Sequence, residues 1–170
     1  MKQIPLFENK EKRFFGGILL KGKRKSRRPL CNKSAIHLVV RSEKATGRAS
    51  FSRYKPQISA CLKKHARKFG VKIYRDAIQS NHIHLVLRIT NRKLYGYFIA
   101  ATTGTIARIV TRGAGLKKQN RTFWEARPFT RILYWGKDYK QSMGYLLQNV
   151  LEALGFVPYK PRKDYYSKQI

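Results

Sequence analysis

The sequence predicts an α+β sandwich, an antiparallel sheet with helices packed on it. Three observations predict it. Stretches of alternating and of helical apolar periodicity follow one another in the order strand-helix-strand-strand-helix-strand-helix. The second and third strands are joined by only Gln79-Ser80-Asn81, a link short enough for a hairpin and therefore for antiparallel pairing. The chain has 170 residues, of which 42% are hydrophobic, which suits one domain with a real core.

Residues 1–33 read as a basic arm. Lys21-Gly22-Lys23-Arg24-Lys25-Ser26-Arg27-Arg28-Pro29 is a run of charges and turn formers without a period, expected to be disordered in the free protein and to grip phosphates. Phe14 and Phe15 offer it an anchor. The sandwich occupies residues 34–157, and residues 158–170 form a basic tail.

Ala35–Arg41 alternates and reads as the first strand. After a polar loop, a helix runs from about Pro56 to Phe69 with Ile58, Cys61, Leu62, His65, Ala66 and Phe69 on one face. Pro56 suits its first turn and Gly70 its stop. Val71–Ile78 and His82–Ile89 read as the next two strands. Asn91 is placed to cap a second helix reaching about Arg112, with an apolar stripe through Leu94, Phe98, Ala101, Ile106, Ile109 and Val110 despite Gly104. A basic loop from Gly113 to Arg121 leads to two short strands, Thr122–Trp124 and Pro128–Trp135.

Asp138 and Gln141 have capping-box spacing for a last helix ending near Leu154, with Gly155 and Pro158 beyond it. Met143, Leu146, Leu147, Val150, Leu151 and Leu154 repeat at helical spacing and predict its buried face. A different face carries Tyr145, Gln148, Asn149 and Glu152.

Lys and Arg total 38 against 8 Asp and Glu, a formal charge of +30. Self-repulsion of that size opposes compaction and is relieved by a polyanion. Nucleic acid is the leading partner, because binding it releases condensed counterions. An anionic membrane surface is the lesser one. No apolar run is long enough to span a bilayer and no signal peptide is evident. Cys31 and Cys61 have neither metal-like nor disulfide-framework spacing, which points to a reducing cytoplasm, with the charge suggesting association with the nucleoid. Arg24, Lys25, Arg27 and Arg28 in the arm, with Arg108, Arg112, Lys117, Lys118 and Arg121, are the candidate DNA-backbone contacts.

His82-Ile83-His84 carries the chemistry. Residues two apart on a strand leave the same face, so both imidazoles point one way while Ile83, Leu85 and Leu87 fill the other. Such a pair is half of a divalent-metal site, or two hydrogen-bonded core groups. His37 alternates with Ile36 and Leu38 and is a weaker third-ligand candidate, while His65 reads as core. Tyr145 and Asn149 are four apart on a helix and so are neighbours, as a nucleophile beside an amide-oxygen ligand would be. Taken alone, Tyr145 reads equally as a packing residue, one of ten tyrosines.

Asn81-His82-Ile83-His84-Leu85 resembles the His-hydrophobe-His strand of HUH nucleases. With Phe123-Trp124-Glu125, Arg127-Pro128-Phe129 and Tyr145-Leu146-Leu147-Gln148-Asn149, residues 35–160 resemble the single-tyrosine HUH transposases, in particular the REP-associated tyrosine transposases. The usual Met-Pro before the Asn-His is Gln79-Ser80 here, and other branches carry Gln where Asn149 stands. The resemblance implies a ferredoxin-like fold whose C-terminal helix carries Tyr145 as nucleophile. It also implies Mg²⁺ or Mn²⁺ on His82, His84 and Asn149, single-stranded or hairpin DNA as substrate, and often a homodimer. The chemistry implied is strand cleavage and transfer through a 5′-phosphotyrosine. The alternatives are a basic hairpin DNA- or RNA-binding protein without chemistry and a hydrolytic metal-dependent nuclease.

Overall fold

The structure is a computed structural model that describes residues 14–18, 21–22, 27–116 and 122–158. In chain order its elements are β1 (Phe14–Phe15), β2 (Ala35–Arg41), α1 (Lys55–Lys68), β3 (Lys72–Ile78), β4 (His82–Arg88), α2 (Arg92–Gly113), β5 (Phe129–Leu133) and α3 (Lys137–Ala153). The strands form one antiparallel sheet in the order β1-β5-β2-β4-β3. Leaving aside β1, this is the crossover order of a ferredoxin-like sheet. β2 and β4 lie at its centre, each bonded on both sides, so side chains on them stand on the most rigid backbone of the molecule.

Alternation divides the sheet into two faces. Ile36, Leu38 and Val40 of β2 and Ile83, Leu85 and Leu87 of β4 point to one side, where Ile58, Cys61 and Leu62 of α1 and Tyr95, Phe98, Ile106 and Val110 of α2 close the main core. The other face carries Ala35, Ala77, Val86 and Leu133, and α3 packs there through Leu146. Small sheet residues under α3 allow it to lie close, at the expense of apolar area.

Helix starts follow their local chemistry. Asn91 caps α2 as expected, its Oδ1 accepting from the amides of Lys93 and Leu94 at 2.7 and 3.4 Å. Of the expected α2 stripe, Phe98, Ile106 and Val110 are buried, while Leu94 is exposed and Tyr95 is buried beside it. Asp138 is not a cap. Gly136 precedes α3 without a side-chain cap, and Asp138 sits inside the first turn. Its carboxylate is drawn instead to the buried guanidinium of Arg131 on β5, 2.6 Å away, and it also accepts from the Tyr134 amide.

Thr122–Trp124 is not a strand. Phe123 and Trp124 pack against Phe51 with ring centroids 6.1 and 5.7 Å from it. The Ser42 hydroxyl donates to the Phe123 carbonyl, and the Trp124 indole donates to the Thr103 carbonyl. Core packing and side-chain hydrogen bonds thus replace a ladder at this segment.

Part of the basic arm is ordered. Phe14 and Phe15 add a short strand to the β5 edge, and Phe15 is buried between the guanidiniums of Arg28 and Arg127, 4.5 and 5.1 Å from its ring centre. Gly16 and Gly17 follow with φ of 78° and 75°. A Cβ at Gly16 would fall 2.3 Å from the Pro128 carbonyl oxygen, so only glycine lets this backbone approach so closely. None of the described helices is long and apolar enough to cross a membrane.

Candidate active site

β4 projects His82 and His84 toward the α3 side of the sheet, as period-two alternation requires. His84 lies opposite Val39 and His82 opposite Arg41 on β2. The two rings are edge-to-face with centroids 4.8 Å apart. The turn before them braces the outer ring: Asn81 Oδ1 lies 2.7 Å from His82 Nδ1 and fixes that nitrogen as the one bearing hydrogen.

His37 joins the pair. It faces Val86 in register, which places it diagonally across from His84 on the same face. Its ring stacks on His84 at 5.3 Å, and His37 Nε2 is 3.1 Å from His84 Nδ1. Burial first, and then the nearby positive charge of Arg131, lower the His37 pKa to about 4. A neutral His37 is therefore the form present near neutral pH. We assign the shared hydrogen to His84 Nδ1, donated to His37 Nε2, so that the two rings are held as one unit. His65 sits elsewhere, on α1 with its Nε2 3.3 Å from the Thr105 hydroxyl.

α3 brings the tyrosine to the histidines. The Tyr145 ring stands edge-on to His84 at 5.6 Å and to His37 at 6.3 Å. Asn149, one turn further along, is 3% exposed. The face that α3 turns to the sheet keeps Met143, Leu146 and Val150 of the expected one but leaves Leu147 and Leu154 out. Ser142, Leu146 and Asn149 are buried, while Leu147 and Leu154 are 45% and 51% exposed. The reason is what lies beneath: a sheet face with small residues and imidazoles accepts polar partners, so the helix turns Tyr145 and Asn149 inward at the cost of exposing two leucines.

Two polar ties hold that orientation. The Arg131–Asp138 pair secures the start of α3. Near its end, Gln79 Nε2 donates to the Asn149 carbonyl at 2.7 Å. Gln79, at the hairpin preceding the histidines, thus links strand and helix directly. Sequence reading did not single it out as functional, and no pattern within the sequence distinguishes it from any other turn glutamine.

Two imidazoles on one strand and a buried amide on the helix above form a donor set that suits an exchangeable divalent ion with open positions for oxygen ligands. Among the described residues, no group of three or more His, Cys, Asp and Glu is arranged to hold a metal ion.

The basic candidates are dispersed. Arg27 is exposed, as are Arg108 and Arg112. The last two lie on α2, so the sheet stands between them and Tyr145. Arg28 is committed to the fold: its Nη1 donates to the Pro128 carbonyl and the Thr130 hydroxyl at 2.8 and 2.7 Å, and its own carbonyl accepts from Arg92. Arg24, Lys25, Lys117, Lys118 and Arg121 fall outside the described residues. Arg41 and Arg127 were not among the candidates; both border a cavity beside His84. Of the aromatic groups, Tyr97 and Trp135 are about half exposed and Tyr95 is buried.

Comparison with known proteins follows the same lines. The family described as IS200-like transposases matches residues 31–141, a span that includes His37, His82 and His84 and stops short of Tyr145. A solved REP-associated tyrosine transposase bound to a REP hairpin superposes with a TM-score of 0.60 at 16% identity, covering 79% of this chain and 76% of that one. A candidate transposase from Deinococcus radiodurans R1 aligns with a TM-score of 0.46 at 16% identity over 75% of this chain and 97% of its own. No curated protein matches the sequence.

Proposed function

Because the chain belongs to the IS200-like transposase family, we propose that it cuts single-stranded DNA beside a hairpin and transfers the strand through a covalent bond to Tyr145. The observation that supports this most directly is the edge-on placement of the Tyr145 ring against His84, at 5.6 Å, on the sheet face where His82 also stands. Hairpin DNA is extended to this chain from the REP hairpin held by its fold neighbour, and from its own charge of +30.

In the proposed reaction the phenolic oxygen of Tyr145 attacks the phosphorus in line. A bond forms from tyrosine to the 5′-phosphate, the bond to the 3′-oxygen breaks, and the proton lost by the phenol is matched by one gained on the released 3′-hydroxyl. The number of phosphodiester-type linkages is unchanged, so a second 3′-hydroxyl can reverse the step without an energy source. His82, His84 and Asn149 would hold Mg²⁺ or Mn²⁺, which supplies charge neutralisation at a non-bridging phosphate oxygen. His37 orients His84, and Gln79 keeps α3 over the strand.

The test uses a hairpin oligonucleotide labelled at either end, with Mn²⁺ or Mg²⁺. The expected result is a protein–DNA adduct that survives denaturant and carries the 3′ label, with the 5′-labelled fragment released. Cleavage without any adduct would favour a hydrolytic nuclease, and retarded but intact DNA a binding protein.

The His37 arrangement makes its own prediction. Phenylalanine keeps the ring volume but cannot accept from His84 Nδ1. His37→Phe should weaken Mn²⁺ binding about 10- to 100-fold by titration calorimetry, the range seen when an outer-shell partner of a metal histidine is lost. Unchanged affinity would show that His84 needs no such partner.

A further inference from the structure

The end of the sheet opposite His82 carries three rings that the proposed cleavage chemistry does not use. Tyr74 lies on the edge strand β3, at the register shift between Ile73 and Arg75. Trp135 follows β5, and Tyr139 stands in the first turn of α3. The ring centroids are 5.9 Å apart for Tyr74 and Trp135, 5.9 Å for Tyr74 and Tyr139, and 4.9 Å for Trp135 and Tyr139, each pair edge-on or tilted. Tyr74 and Tyr139 also pack against the apolar cluster under α3, so they form the fixed base of the group. Trp135 is its open part, 49% exposed. Its indole N–H donates to the Lys33 carbonyl at 2.7 Å, which holds the ring where it stands. An indole that folding leaves half in water, yet keeps in one orientation, is a preformed contact surface.

The rim of this surface is basic. Lys72 Nζ lies 5.3 Å from the centre of the Tyr74 ring. Lys33, Lys72, Lys137 and Lys140 are exposed, and the acidic residue of the same helical turn, Asp138, is drawn away to Arg131. We propose that Trp135 stacks an unpaired base of the DNA, with Tyr74 and Tyr139 as its support and the surrounding lysines on the neighbouring phosphates. The inference rests on the strand-transfer reading for the presence of DNA, and its own ground is the ring cluster and its charge. An aromatic face among ammonium groups matches what a single strand offers, a π-face on every base and an anionic phosphate between bases. A duplex keeps those faces inside its own stack, so the segment held here is unpaired. The surface lies close to the site of attack. Tyr145 is six positions beyond Tyr139, about 9 Å along the helix axis, and both rings pack on the same side of the sheet. A strand joined to Tyr145 reaches Trp135 within a few nucleotides. The platform therefore anchors the unpaired flank of the cut, and because every base has a π-face it does so without reading sequence.

The experiment measures binding without cleavage, in Tyr145→Phe protein and without divalent metal. The probes are an oligothymidylate of about eight nucleotides and an abasic strand of the same length, which keeps every phosphate and removes every base. The thymidylate should bind about tenfold tighter, the scale of one base–aromatic stack, and should quench indole fluorescence where the abasic strand does not. Adding Trp135→Ala should remove the difference and leave abasic affinity unchanged, which also reports an intact fold. The quench should be absent from Trp135→Phe, whose remaining indole is Trp124, packed against Phe51. Tyr97→Ala, which removes a half-exposed ring from α2, should retain the difference in affinity. Equal binding of the two strands, or a difference that survives Trp135→Ala, would overturn the proposal. So would Trp135-dependent binding to vesicles of anionic lipid without any difference between the strands, which would make the rings a membrane contact. An adduct formed by wild-type protein on hairpin DNA with no base-dependent binding would sink the platform alone; a Trp135-dependent difference without any adduct would sink the strand-transfer reading alone.

Discussion

Tyr145→Phe should reduce strand cleavage by about 10⁴-fold or more and abolish the covalent adduct, while hairpin affinity stays within about threefold of wild type. The substitution keeps the ring that stands edge-on to His84 at 5.6 Å and to His37 at 6.3 Å, and removes one oxygen. The packing of α3 should survive it. Affinity should survive because it derives from 38 Lys and Arg residues, and its logarithm should fall linearly with the logarithm of salt in both proteins. Denaturing gels read the adduct, and gel retardation reads the affinity. His84→Ala should behave alike in cleavage. Persistent cleavage in Tyr145→Phe would assign the chemistry to a water molecule and end the covalent scheme.

Asp138→Ala should destabilise the protein by about 3 kcal/mol, as expected when one member of a buried ion pair is removed and the other stays. Arg131 and Asp138 side chains are 10% and 18% exposed, so water compensates little. The replacement strands a guanidinium on β5 and frees the first turn of α3. Urea denaturation should show a lower midpoint with an unchanged slope. Replacing both residues by apolar ones of similar size, Arg131→Met with Asp138→Leu, should recover most of the loss, because the desolvation cost of the charges disappears with them. A loss below about 0.5 kcal/mol in Asp138→Ala would place the pair among ordinary surface contacts.

Most elements could be read from the residues, because each is written in a local period. Ala35–Arg41 matches the expected strand from end to end, and α1, β3 and β4 begin and end within one residue or so of their expected bounds. The His82–His84 pair was legible for the same reason. What was not legible depended on partners distant in sequence. The leucine repeat of α3 pointed to a buried face that includes Leu147 and Leu154, yet both are exposed, because the sheet beneath offers small residues and imidazoles. Asp138 has cap-like spacing but answers to Arg131. Alternation along the first strand named His37 as a weaker candidate, and only the strand register shows that it lies against His84. Gln79 acts through a helix seventy positions away, and no periodicity reports such a bond.

His84 and Tyr145 stand on different elements, and between them the ribosome must add α2, β5 and the first half of α3. At synthesis rates of ~5–20 residues per second, the Tyr145 phenol emerges roughly 3–12 seconds after the imidazoles it stands against. Under the proposed reaction, a nascent chain displays its charge to nearby nucleic acid before the phenol that would attack is in position.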